Sequence, residues 1–209
     1  MKSGGYAISH CKVPVTSWAP DASLIIIVSF VFCLSGPRII FAGELIQSDV
    51  TYHDGVYLID IAMDIRADID KTRAILLDYG QTTNYNENIV KSELLSVTAS
   101  GKKIGRVEIR DCLLFFCRNL VQIQEMDKLA SGAIRIHVLP ENSDYRTGDY
   151  LWRFIPHPGG MTRLLINAVI APKIRVPPVL GPFVIARKLK QRLINVVNKL
   201  ENLSQHDNM

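Results

Sequence analysis

No G-x-S-x-G, H-E-x-x-H, P-loop or dinucleotide-binding fingerprint occurs in the 209 residues. Their absence counts against the commonest hydrolases, metalloproteases and nucleotide-dependent enzymes, whose chemistry needs those side chains at those spacings. Histidine is sparse. His53, His137 and His157 lie in the body of the chain without metal-ligand spacing on a helix. Each reads as a surface or hydrogen-bonded residue, so no metal or other cofactor is expected. An excess of one charge is also lacking, the formal net charge being +4. The clustered cations Arg187, Lys188, Lys190 and Arg192 read as the solvated side of a helix, not as a stripe for phosphates. Nucleic acid is therefore not an expected partner; contact with an anionic membrane surface is compatible with such a face, and the sequence does not require it.

What the chain does have is apolar material, with 48% hydrophobic and 21% charged residues. That is enough for a sizeable core, and the length suits one domain plus an extra segment. The extra segment stands at the front. Ser23 to Ser35 is an apolar run without charge, Lys2 and Lys12 precede it, and no acidic residue comes before Asp21. At about 13 residues it fits a signal-peptide core and falls short of a spanning helix of about 20. Ala42 and Gly43 offer a cleavage site. Residues 1–43 are thus read as a signal peptide or an uncleaved membrane anchor, and residues 44–209 as one domain. The expected location is exported, periplasmic or tethered facing the periplasm.

Export changes the reading of the cysteines. Cys11 and Cys33 fall in the leading segment, which leaves Cys112 and Cys117 in the domain. An oxidising compartment permits a disulfide across the short loop between them. The competing reading is two free thiols on opposite faces of one continuous strand.

Along the domain, alternation predicts a first strand over about Tyr52 to Ile65. Asp68 and Asp70 then cap a helix running through Leu77, and Gly80 ends it. The stretch with Asn84, Asn86 and Asn88 reads as a loop or short helix. From Val90 the period becomes two, giving strands over Val90–Thr98, Ile104–Cys112, Arg118–Met126, Ala133–Leu139, Tyr145–Ile155 and Thr162–Ile170. Short loops between them predict an antiparallel meander with one face towards a core. Prolines at 172, 177, 178 and 182 then lead into a helical pattern from about Pro178 to Leu203. Its apolar stripe must lie on the sheet.

This order, together with DIRADIDKTRAILLDY, GDYLWRFIP and NAVIAPKIRVPPVLGPFVIARKLKQRLINVVNKLE, resembles the START-like superfamily, also called SRPBCC. Within it the chain looks most like the polyketide cyclase and coenzyme-Q-binding branch, and the likeness spans nearly all of Val50 to Leu203. The resemblance implies an α+β, helix-grip fold: a curved antiparallel sheet of about seven strands wrapped around a long C-terminal α-helix. It implies a cavity for a lipid, quinone, sterol-like or polyketide molecule and no universal catalytic residue. A monomer that binds or transports a hydrophobic molecule is expected, more readily than an enzyme. The alternatives are a cyclase or aromatase on the same fold, or an interaction module related to the ribosome-targeting toxins of this branch.

Placing charged residues outward predicts the inward faces. Arg163 outward turns Leu164, Ile166 and Ala168 inward. Arg153 outward does the same for Tyr150, Trp152 and Phe154, and Arg135 with His137 for Ile134 and Ile136. Phe183, Val184 and Arg187, at the start of the last helix, are expected at the cavity mouth. Any of the apolar residues could instead simply fill a core. Asn84, Tyr85 and Asn86 are polar candidates near an entrance, although such stretches are also ordinary turn chemistry. A cyclase would need an ionisable pair such as Asp60 or Glu108 with Arg106 or Arg110 inside the cavity, and alternation points these outward.

Overall fold

The computed structural model describes residues 43–113, 116–173 and 181–206. The segment expected as signal or anchor lies outside these residues except for Gly43, as does the helix start expected at Pro178. In chain order the elements are β1 (Glu44–His53), β2 (Val56–Ile65), α1 (Ile69–Leu76), α2 (Thr82–Tyr85), β3 (Ile89–Val97) and β4 (Lys103–Leu113). Then follow β5 (Phe116–Lys128), β6 (Ile134–Val138), β7 (Tyr145–His157), β8 (Met161–Pro172) and α3 (Gly181–His206). The strands form one curved, open antiparallel sheet in the order β1-β2-β8-β7-β6-β5-β4-β3.

Eight strands, not about seven, make the sheet, because Tyr52 to Ile65 is not one strand. The chain reverses at Asp54 and Gly55, whose φ angles are 49° and 81°. Positive φ at both central residues is the geometry of a two-residue hairpin, and an Asp-Gly pair adopts it readily. Tyr52 and Tyr57 therefore face each other across the hairpin, with ring centroids 4.9 Å apart.

Asp68 caps α1 by accepting from the Lys71 backbone N–H at 2.8 Å. Charge also pins β2 to β8. Asp64 sits opposite Arg163 in the register and accepts from its Nε and Nη2 at 2.7 and 2.8 Å. These bonds hold the Asp64 carboxyl below the usual carboxylate range, against the opposing effect of its burial. The outward residues Arg135 and His137 are exposed, while Ile134, Ile136 and Val138 are buried.

The C-terminal helix does not cover the sheet evenly. It packs on β1, β2, α1 and α2, burying Leu193, Val197 and Leu200 with Ile61, Met63 and Ile65. A second cluster gathers Tyr79, Val107, Met126, Ile134 and Ile136 on the far part of the same face. Between the two clusters the curved sheet and the straight helix diverge.

Candidate functional site

A cavity of about 200 Å³ fills that gap. Sheet residues supply one wall: Met63 from β2, Val107 and Ile109 from β4, Gln122, Gln124 and Met126 from β5, and Ile136 from β6. Tyr150 and Trp152 from β7 and Leu164 and Ile166 from β8 complete it. Leu76, Tyr79, Thr82, Tyr85, Asn86 and Ile89 close one side, and Leu193, Val196 and Leu200 of α3 form the roof. No charged side chain lines it among the described residues.

Its polar side chains are largely bonded to one another. Tyr150 Oη donates to Gln122 Oε1 at 3.2 Å, Gln122 Nε2 donates to Gln124 Oε1, and Gln124 Nε2 donates to Tyr79 Oη at 3.2 Å. Burial raises the pKa of Tyr150 and of Tyr79, and pushes Tyr85 up to about 12. These phenols stay protonated near neutrality and serve as hydrogen-bonding groups, not as bases. Trp152 differs from them, because its Nε1–H is sealed from solvent and has no acceptor.

Glycine makes the Tyr79 position possible. Gly105 stands across the ladder from Gln124, and a Cβ on Gly105 would lie 2.1 Å from Tyr79 Cζ. With hydrogen there instead, the ring packs against β4 at Gly105 and its hydroxyl accepts from Gln124 Nε2.

At the rim, α3 is tied down by two sets of charged contacts. Arg192 Nη2 donates to Asp111 Oδ1 of β4 at 2.7 Å. On the other side Asn195 and Lys199 donate to Glu87 at 3.1 and 3.4 Å, which lowers the Glu87 pKa. Arg192, expected on a solvated face, is thus a tether. Cys112 and Cys117 are joined by a disulfide on the β4–β5 hairpin, where they sit opposite one another.

Of the residues expected at the cavity, Ile136, Tyr150, Trp152, Leu164 and Ile166 line it. Ile134 and Ala168 are buried in the clusters beside it. Phe154 packs against both clusters, beneath the Arg73 guanidinium 5.2 Å from its ring centre. Phe183, Val184 and Arg187 are not among the lining residues. Phe183 is 69% exposed and Arg187 is exposed. Val184 and Arg187 lie about 180° and 120° round the helix from Leu193, and the cavity meets α3 about three to five turns after Phe183, at Leu193, Val196 and Leu200. Tyr85 and Asn86 line the cavity, whereas Asn84 is exposed and bonds to Gln81.

Asp60 is exposed and bonds to Asn167, and Arg110 is exposed. Arg106 pairs with Glu108 at 2.7 Å on the opposite side of β4 from Val107 and Ile109. The glutamines of β5 are the main omission from the sequence reading. Glu125 and Asp127 share the parity of Val121 and Ile123. The outward-charge rule applied to this strand turns Gln122, Gln124 and Met126 inward.

The sequence matches no protein-family model and no curated protein. Solved structures share the architecture. The Zhui aromatase/cyclase of Streptomyces sp. aligns with TM-score 0.59 and 13% identity, over 74% of this chain and 96% of its own. A START superfamily protein of Mycobacterium smegmatis aligns with TM-score 0.57 and 16% identity, over 71% and 97%. A STAR-related lipid transfer protein of Xanthomonas axonopodis gives 0.54 and 14%, over 73% and 98%. Likeness at such identities speaks to fold, and the fold of this chain is the START-like helix grip.

Proposed function

We propose that the chain binds a neutral hydrophobic small molecule between the sheet and α3, and carries it without transforming it. The observation behind this reading is the lining, which is apolar apart from uncharged groups mostly engaged with each other. Removing apolar ligand surface from water contributes roughly 25 cal/mol per Å² before ordering costs. A cyclase or aromatase needs an acid or base at the substrate. The candidates for that work, Asp60, Arg106, Glu108 and Arg110, are not in the lining. The lipid-transfer role in the name of the Xanthomonas neighbour fits the carrier reading, and the Streptomyces neighbour fits the enzyme alternative.

Size narrows the ligand. Drug-sized pockets run to about 300–1,000 Å³, so a cavity of about 200 Å³ suits a compact ring system or a single short chain. A two-chain lipid would require α3 to lift.

The same reading gives residues 1–43 the role of signal or anchor, with the domain over 44–209 acting as a monomer outside the cytoplasm. Exposed Arg187 and Lys190 beside exposed Phe183 suit contact with an anionic membrane surface.

Native mass spectrometry of protein purified from its own host, followed by lipid extraction, tests the proposal. A stoichiometric apolar adduct is the expected result. A clean apo mass with no uptake from a lipid and quinone mixture would overturn it. Cell fractionation with N-terminal sequencing tests export, and a cytoplasmic protein beginning at Met1 would sink that part.

A further inference from the structure

Gly43, just ahead of β1, has no room for a side chain. A Cβ there would collide with Glu201 Oε1, with the Asp64 carbonyl oxygen and with Val197 Cγ1. Glu201 stands near the end of α3, is only 8% exposed, and accepts from the Arg66 backbone N–H at 2.7 Å. Among the described residues no cation pairs with it, and a buried carboxylate without one is costly.

We infer that export processing supplies the cation: a leader protease cuts between Ala42 and Gly43, and the new Gly43 ammonium docks on Glu201. The inference rests on the export reading above and fixes where the leader ends. Hydrolysis of the Ala42–Gly43 amide consumes one water and leaves a carboxylate on Ala42 and an ammonium on Gly43. As an internal amide the Gly43 nitrogen is uncharged and held by the chain on both sides. Once free, it can turn about the Cα–C bond into the space a Cβ would take. There it comes within hydrogen-bond reach of Glu201 Oε1 and the Asp64 carbonyl. Only glycine leaves that space empty. Leu200, next to Glu201, lines the cavity, so the ion pair fastens the first residue of the mature domain to the end of the roof helix.

The test uses the full-length chain, made with its leader in its own host. Intact mass and N-terminal sequencing should give a mature protein beginning at Gly43, Glu44 and Leu45. Acetic anhydride near neutral pH then reads the state of the amine by mass spectrometry, with exposed Lys190 as internal reference. The Gly43 amine should react about tenfold more slowly than in urea-unfolded protein, because a neighbouring carboxylate favours the unreactive ammonium. Glu201→Gln should remove most of that protection and leave Lys190 unchanged.

An exported chain that begins elsewhere, or keeps its leader, overturns the inference and leaves the export reading standing. A cytoplasmic chain beginning at Met1 overturns both. Equal reactivity of Gly43 in native and unfolded protein would refute the docking, as would protection that survives Glu201→Gln. Should Glu201→Gln not fold, Glu201→Asp decides. It withdraws the carboxylate by one methylene and should give intermediate reactivity, and reactivity equal to that of the unaltered protein would sink the ion pair.

Discussion

Gly105 and Tyr79 occupy one place between them: the space a side chain at Gly105 would fill holds the phenol ring of Tyr79. Gly105→Ala should therefore force the ring off β4 and break its bond to Gln124. Overpacking of this kind costs about 1–3 kcal/mol. Thermal unfolding measures the loss, and cavity binding should weaken alongside it. An unchanged midpoint would mean that the ring has another place to go.

Acid should unfold the domain partly through Asp64. Its carboxyl titrates below the ordinary value because Arg163 holds it ionised. A depressed folded pKa contributes stability that is complete above the unfolded value of about 3.9 and is lost as pH falls through the lower folded value. Asp64→Asn should flatten the acid limb of the stability curve below about pH 4 while lowering stability at neutral pH. Denaturant midpoints from pH 2 to 7 give the comparison.

Reduction should cost stability without dissolving the sheet. The disulfide between Cys112 and Cys117 closes a short loop, for which the chain-entropy argument gives roughly 2 kcal/mol. Urea unfolding with and without a reductant reads the difference. A Cys112→Ser, Cys117→Ser protein should match the reduced form.

The rim contacts should govern entry more than stability. The Arg192–Asp111 pair is only half-buried and Glu87 is exposed, so solvent screens both contacts, and Asp111→Asn with Glu87→Gln should barely shift the unfolding midpoint. Freeing α3 at both edges should speed uptake of a fluorescent hydrophobe about two- to fivefold in stopped flow. High salt should speed the unaltered protein in the same direction.

The architecture was legible because alternation and helical periodicity survive across long segments. Arg135 and His137 fix the β6 face, and the 193, 196, 197, 200 spacing fixes the helix stripe. Two local features resisted. The Asp54-Gly55 turn was hidden inside a run of strand-forming residues, although the dipeptide itself signals a hairpin. The polar wall of the cavity was hidden because Val121 and Ile123 look more like interior residues than Gln122 and Gln124. Hydrophobicity alone cannot place glutamines that satisfy each other, whereas the charges at Glu125 and Asp127 can.

The position of the cavity mouth was harder still. Phe183 lies at the edge of the apolar stripe that Leu193 centres, about 80° round and 15 Å along the helix from it, and the axial position of α3 on the sheet takes it away from the cavity. Side-chain periodicity reports rotation about a helix axis and carries no information about translation along it.

The helix that roofs the cavity follows every strand in the chain and packs chiefly on β1, β2, α1 and α2. Wall and roof therefore come from separate parts of the chain, and a fold lacking only the docked α3 would leave that wall open. A ligand present during folding need not thread a closed entrance, because it can lie against the open wall while the helix settles over it. Loading and docking of α3 can then be a single event.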